Sequence, residues 1–181
     1  RLVEFNARFG DPECQILMRR LKSDLLPVLY KAATGKLKGA TLDWSDEAAA
    51  LVVMAADGYP GAYKKGSEIK GVEAANALPG VVVFQAGVKE ENGRLLANGG
   101  RVLNVTAMGK DIREAVERAY AGVEAIDWPE GFYRKDIGWR ALERQQLVVL
   151  ELESRSPHPS VEAEVELGAA TAPPPSAASG A

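Results

Sequence analysis

Glu4 and Asn6 stand two apart in Leu2-Val3-Glu4-Phe5-Asn6, a run whose alternation reads as a β-strand. On a strand that spacing puts both oxygen-bearing side chains on one face with Leu2, and Val3 and Phe5 on the other. A carboxylate beside an amide oxygen suits a hard cation. Magnesium is held by only one or two protein carboxylates and completes its octahedron with water and phosphate oxygens. On spacing alone, a half-exposed strand with its polar groups outward accounts for the pair more simply. Other chemistries are poorly served. Cys14 has no histidine beside it and reads as a small helix residue rather than a nucleophile. His158, the only histidine, sits between prolines, and no Cys/His cluster offers a zinc site. Gly58, Gly61 and Gly66 read as turn glycines without the spacing of a phosphate-binding loop.

The elements that would carry such groups can be read along the chain. Asp11-Pro12-Glu13 reads as a helix start, with an N-cap acid, proline at the first helical position and an acid in the first turn. Leu17, Leu21 and Leu25 recur every four residues, followed by Val28 and Leu29. Pro27 argues for two helices meeting near Ser23, with Ser23 capping the second and Gly35 ending it. For Ala48–Ala56 periodicity leaves a buried strand or a short helix open. Asp57-Gly58-Tyr59-Pro60-Gly61 is a turn. Val81–Val88 reads as a strand, Glu91-Asn92-Gly93 as a hairpin turn and Arg94–Ala97 as the returning strand. Asn98-Gly99-Gly100 turns the chain into an alternating strand, Arg101–Met108. Ile112, Ala115, Val116, Ala119, Tyr120, Val123 and Ile126 then form one helical stripe, and Asp111 and Glu114 have capping-box spacing at its start. Arg113/Glu117 and Glu114/Arg118 read as a solvated face. Trp44, Trp128 and Trp139 read as packing anchors. The sum is an α+β domain in which hairpins pack against a few helices.

Composition sets the limits. The 181 residues are 46% hydrophobic, 26% charged and 7% aromatic, which suits a globular chain and excludes a collagen-like or wholly disordered one. A net charge of −3 leaves no basic footprint for nucleic acid. No run approaches the length of a membrane span, and one cysteine cannot form an intrachain disulfide, so the cytoplasm is the expected compartment. The charge is uneven: from Gln145 onward there are five acids and one base, giving −4, against +1 for residues 1–144. All twelve aromatics lie in residues 1–144 and half of the ten prolines lie beyond them. Residues 145–181 are therefore expected to be a disordered, acidic then Ala/Pro-rich tail, with Gln146–Leu152 as a short extra strand. The opening at Arg1, directly before Leu2-Val3, reads as an excised piece of a larger protein.

Arg8-Phe9-Gly10-Asp11-Pro12-Glu13-Cys14-Gln15 resembles, without a gap, the signature of phosphoribosylamine–glycine ligase (glycinamide ribonucleotide synthetase), an ATP-grasp family of purine biosynthesis. The resemblance continues in order through Asp57–Gly61, Asn98–Leu103, Val105-Thr106-Ala107 and Phe132–Arg140, covering about residues 1–143. It implies the end of an ATP-grasp domain (residues 1–40), then a small hairpin-rich C-terminal domain with packed helices (41–144). The family joins glycine to 5-phosphoribosylamine while converting ATP to ADP and phosphate, through glycyl phosphate. The resemblance makes Glu4 and Asn6 ligands of Mg²⁺ or Mn²⁺. It makes Arg8 a catalytic group that binds phosphate or steadies the acyl phosphate; a surface ion pair of Arg8 with Asp11 or Glu13 is the alternative. Asp11 and Arg101 become substrate-binding residues, although N-capping and a hairpin turn explain them without chemistry. The family's Phe-His-Ala-Gly-Thr is replaced by Phe84-Gln85-Ala86-Gly87-Val88, which puts any substrate contact of that strand in question. The intact enzyme is expected to be a monomer that binds neither nucleic acid nor membrane, and this chain alone to be inactive. A non-catalytic interaction module retaining the C-terminal fold is the competing reading. Another ATP-grasp ligase or carboxylase would not explain the Arg8–Glu13 run.

Overall fold

A run such as Ala48–Ala56, with Ala, Val or Leu at every position but one, demands cover on both faces, and with the more mixed Arg101–Gly109 it forms the centre of this protein. The structure, a computed structural model, describes residues 8–155, with side chains described through residue 148. In chain order the elements are α1 (Glu13–Arg20), α2 (Leu26–Ala33), β1 (Ala48–Ala56), β2 (Glu68–Ile69), α3 (Val72–Asn76), β3 (Val81–Gln85), β4 (Val88–Glu91), β5 (Arg94–Ala97), β6 (Arg101–Gly109), α4 (Ile112–Glu124), β7 (Gly131–Tyr133) and α5 (Trp139–Arg155). The expected strand at Leu2–Asn6 lies outside the described residues. Among the described residues, 8–143 form one compact unit and those from Arg144 belong to a second.

The main sheet is antiparallel, in the order β3-β6-β1-β7, and β2-β5-β4 form a smaller antiparallel sheet. Ala48–Ala56 is thus a strand, the alternative that periodicity left open. Its ladder with β6 runs from Ala48 opposite Gly109 to Met54 opposite Leu103, then slips by one residue before Ala55. From Val102 to Gly109 every residue of β6 is buried, so its alternation of residue types is not an alternation of exposure. The strand lies between β3 and β1, and helices α1 and α4 pack on the pair it forms with β1. Helix α4 buries Ala115, Val116, Ala119, Gly122 and Val123. Gly122 makes the approach close: a β-carbon there would lie 2.8 Å from methyl groups of both Val105 and Val81. Ile126, counted in the stripe, is buried just beyond the helix end.

The start of α4 follows its sequence signature. The Asp111 carboxylate accepts from Glu114 N (2.9 Å), and Glu114 Oε2 accepts from Lys110 N (2.7 Å). Glu114 also takes a 2.8 Å hydrogen bond from Arg118, whose other nitrogen donates to the Met108 carbonyl at 2.9 Å. That pair is half-buried and ties the helix to β6, so it is not a solvated face. The β4–β5 hairpin has Asn92 and Gly93 at φ +53° and +72°, the left-handed pair its turn type requires.

Several expectations are corrected. Val81–Val88 is not one strand: β3 ends at Gln85 and Val88 opens β4 in the other sheet. The chain changes sheets at Gly87, where a β-carbon would come within 2.7 Å of Gly99 Cα and 2.6 Å of the Arg101 carbonyl. Two helices do meet near Ser23, with Pro27 in the opening turn of the second and Gly35 (φ +68°) following its end. Ser23 does not cap it, however. Its hydroxyl accepts from Asp43 N at 3.1 Å; Leu25 holds the cap position without a side-chain cap, and Asp24 before it accepts from Leu26 N at 2.9 Å. Gln146–Leu152 lies within the helix α5 rather than forming a strand. The run from Trp139 to Arg155 contains neither Gly nor Pro and is rich in Leu, Glu, Arg and Gln, all good helix formers. Of the three tryptophans only Trp128 is buried, donating to Ser67 Oγ at 2.8 Å; Trp44 and Trp139 are exposed. His158 and the Ala/Pro-rich stretch lie outside the described residues.

Candidate functional site

Gly10 lets Glu13 fold back over the loop that begins at Arg8, since the Glu13 carboxylate lies where a β-carbon of residue 10 would be. Cys14 N donates to the Gly10 carbonyl at 2.9 Å, closing this turn onto α1. The expected N-cap does not form. Pro12 occupies the cap position and no side chain caps the helix. Asp11 is engaged elsewhere, by Arg101 at the start of β6. One guanidinium nitrogen of Arg101 donates to the Asp11 carbonyl at 3.1 Å, and the other lies 3.4 Å from its carboxylate. Two residues ninety positions apart, each expected to touch substrate, therefore hold one another. With side chains 40% and 55% exposed, the ion pair contributes at most about 1 kcal/mol to stability. Its larger consequence is positional, because it joins the Arg8–Pro12 loop to the β5–β6 turn.

That turn is itself fixed by close backbone packing. A β-carbon on Gly99 would approach Gly87 Cα to 2.8 Å, and one on Gly100 would enter the Tyr59 ring. Asn98 N donates to the Gly87 carbonyl (2.7 Å), and Ala56 N to the Gly100 carbonyl (2.8 Å). The Asn98-Gly99-Gly100 glycines thus serve a tight crossing of two sheets. The Asp57–Gly61 turn supplies Tyr59, which packs with Tyr63 at a ring-centroid distance of 6.3 Å. Arg101 leaves this crossing from the exposed end of β6, with the strand behind it fully buried.

Arg8 is exposed, and among the described residues its side chain donates only to the neighbouring Phe9 carbonyl, at 3.0 Å. The ion pair of Arg8 with Asp11 or Glu13 that was the alternative does not form. Glu4 and Asn6 lie outside the described residues. Among those described, no three His, Cys, Asp or Glu side chains come together to hold a metal ion.

The Phe132–Arg140 stretch is a fastening. Arg134 and Asp136 form a two-pronged ion pair, Nε to Oδ1 at 2.9 Å and Nη2 to Oδ2 at 2.7 Å. This hydrogen bonding holds the Asp136 carboxyl below its ordinary value and raises the Arg134 guanidinium. Tyr120 accepts from Ile137 N (3.0 Å) and donates to the Arg134 carbonyl (2.8 Å), pinning the stretch to α4. Sequence reasoning placed Tyr120 on the apolar stripe, and its hydroxyl gave no signal there. Nor was Arg19 singled out, whose guanidinium donates to the Gly80 carbonyl at 2.9 Å. Gln85, where the resembling family has histidine, lines a polar groove of about 370 Å³ with Glu68, Lys70, Glu73 and Arg94. A mostly apolar groove of about 270 Å³ lies beside the Arg8–Pro12 loop, walled by Pro12, Ile16, Leu51, Ile112 and Ile137.

A sheet backed by α4 is thus joined through Arg101 to a glycine-containing loop that carries an exposed arginine. The family described as "Phosphoribosylglycinamide synthetase, C domain" matches residues 49–140, and the chain belongs to it. It is 58% identical over 153 residues to the chloroplastic phosphoribosylamine–glycine ligase of Arabidopsis thaliana, covering 83% of this chain and 29% of that one. It is also 58% identical over 146 residues to the phosphoribosylamine–glycine ligase of Mesorhizobium japonicum, covering 81% and 34%. A crystal structure of phosphoribosylamine–glycine ligase from Thermotoga maritima superposes with a TM-score of 0.63 at 34% identity, covering 75% of this chain and 32% of that one. The chain spans about a third of the length of these relatives.

Proposed function

We propose that this chain serves ATP-dependent ligation of glycine to 5-phosphoribosylamine, in purine biosynthesis in the cytoplasm, as the C-terminal portion of a monomeric ligase. The observation that carries this reading is the 58% identity to phosphoribosylamine–glycine ligases, sustained over 146 to 153 residues. Residues 1–40 would close the ATP-grasp domain and 41–144 form the C-terminal domain. Among the described residues no helix is long and apolar enough to cross a membrane.

In the reaction a carboxylate oxygen of glycine attacks the γ-phosphorus of ATP, and ADP leaves with the electrons of the broken P–O bond. The amine of phosphoribosylamine then attacks the acyl carbon. Phosphate departs with the C–O bond electrons and the amine nitrogen gives up a proton. Such chemistry asks a protein mainly for positioning and charge neutralisation. Arg8, exposed and among the described residues engaged only with a neighbouring carbonyl, would take two oxygens of a transferring or acyl phosphate. Arg101 and Asp11 would set the loop that carries Arg8, and Arg101 would offer its guanidinium to the substrate phosphate. Glu4 and Asn6 supply a carboxylate and an amide oxygen, a hard-donor set that fits Mg²⁺ or Mn²⁺. A metal held there would neutralise charge on the nucleotide phosphates.

The test is a graft in which this chain replaces the aligned segment of the Mesorhizobium japonicum ligase. With Arg8→Ala, kcat for glycine-dependent ADP release should fall by about a hundredfold or more, with the fold unchanged by circular dichroism. With Arg101→Ala, KM for phosphoribosylamine should rise more than kcat falls. An Arg8→Ala graft that keeps its kcat would remove Arg8 from the chemistry.

A further inference from the structure

Asn104 stands between Leu103 and Val105 in the buried run of β6 and is 1% exposed. Among the described residues neither its amide nitrogen nor its amide oxygen has a hydrogen-bond partner. Buried amides are partnered in nearly all proteins, and one left without partners destabilises a core more than an apolar side chain of its shape. Val105 meets Gly122 of α4, so Asn104 and Thr106 point to the other face of the sheet. Thr106 is satisfied there, donating to the Val82 carbonyl at 2.8 Å. The second helix packed on both β1 and β6 is α1. Its polar anchors lie at the two ends of β6. Asp11 is held by Arg101, and Arg19 donates to the Gly80 carbonyl, which also accepts from Met108 N. Helix α1 therefore follows β6. Gln15, four residues from either anchor and on the same helical stripe as Arg19, falls over the middle of that strand. Its Oε1 is buried and without a partner too.

We propose that Asn104 and Gln15 form one polar junction, closed by a buried water, that sets where α1 sits on the sheet. The Asn104 amide nitrogen donates to the water, and the water donates to Gln15 Oε1; buried waters serve such atoms. Helix α1 has no buried residue and no side-chain cap, so apolar packing and capping do little to fix its place. A single buried polar group can fix register at a cost in stability. The Arg8 loop is closed onto α1 by the bond from Cys14 N to the Gly10 carbonyl, so a helix slipped by one turn would carry that loop about 5 Å along. Asn104 is thus a positioning residue for Arg8 and touches no substrate. Its effect on turnover rests on the proposed role of Arg8; the junction itself does not.

A crystal structure of the 181-residue chain, at a resolution that shows waters, should place one water within hydrogen-bond distance of both Asn104 and Gln15. A Gln15 side chain turned away from Asn104, or no shared water, would overturn the junction. In the Mesorhizobium graft, Asn104→Leu should keep or raise the melting temperature, because it removes a buried polar group at similar size. It should nevertheless speed exchange of the Cys14 and Gln15 amides by about tenfold or more. It should also lower kcat by about tenfold with KM for phosphoribosylamine unchanged. Gln15→Met should do the same, and the two together no more than either alone, since each removes the same junction. If the Asn104→Leu graft does not fold, Gln15→Met carries the comparison. Unchanged exchange and kcat in a folded variant would overturn the proposal. So would losses that add, or a kcat loss that only follows a lowered melting temperature. Absence of ADP release from the unsubstituted graft would remove the ligase reading, and the crystal structure and exchange would still decide the junction.

Discussion

Helices α2 and α4 make an instructive pair. Both carry apolar residues at helical spacing and both begin with an aspartate that accepts a backbone N–H, Asp24 for Leu26 and Asp111 for Glu114. Yet α4 buries five residues against β6 and its neighbours, and α2 buries none. A start signal and an apolar stripe say that a helix forms. What the stripe will touch depends on whether the opposing surface is in the same stretch of chain. For α4 it is, in Val81, Val105 and Leu103. For α2 it is not among the described residues.

Substitutions can break that contrast on the buried side. Leu103→Ala, at a fully buried side chain on β6, should cost about 2–5 kcal/mol in urea unfolding. A cost no larger than that of an exposed α2 leucine would erase the distinction. Asp111→Ala removes the cap and loosens the capping box, and should cost about 0.5–2 kcal/mol. Its effect should show as faster exchange in the first turn of α4, with β1 unchanged.

A smaller effect sharpens the account of the fastening beside α4. The Arg134 hydrogen bonds hold the Asp136 carboxyl below its ordinary value of 3.8 in the folded state. A group depressed in this way adds stability above its unfolded value, and that contribution is lost as the pH falls through the folded one. Asp136→Asn should therefore differ from the parent most at neutral pH, and the two should converge as pH is lowered from about 6 to about 2. Because both partners are exposed, the difference should be small. A gap that widens in acid would contradict the assignment.

Much of this was legible because its causes are local. Asn92-Gly93 specifies its own turn, and Asp111 with Glu114 specifies a helix start, through groups only a few residues apart. The Arg8–Gln15 run carried the family. Long-range matters were not legible. Asp11 has the position of an N-cap, but Arg101, ninety residues on, takes its carboxylate. Val81–Val88 reads as one strand, and only the backbone crossing at Gly87 and Gly99 shows why it divides between two sheets. Tyr120 gives its ring to the apolar stripe while its hydroxyl holds Ile137 and Arg134. The helix through Gln146–Leu152 was missed for another reason: charge and the absence of aromatics outweighed good local helix propensity.

The proposed function makes this chain the C-terminal portion of a glycine-ligating enzyme, inactive on its own. The most direct measurement is ADP release from ATP with both glycine and phosphoribosylamine, for the chain alone and for the Mesorhizobium graft at equal concentration. The account predicts release from the graft that stops when either substrate is withheld, and none from the chain alone. Turnover by the chain alone at the rate of the intact relative, or a folded graft that turns over neither substrate, would contradict it.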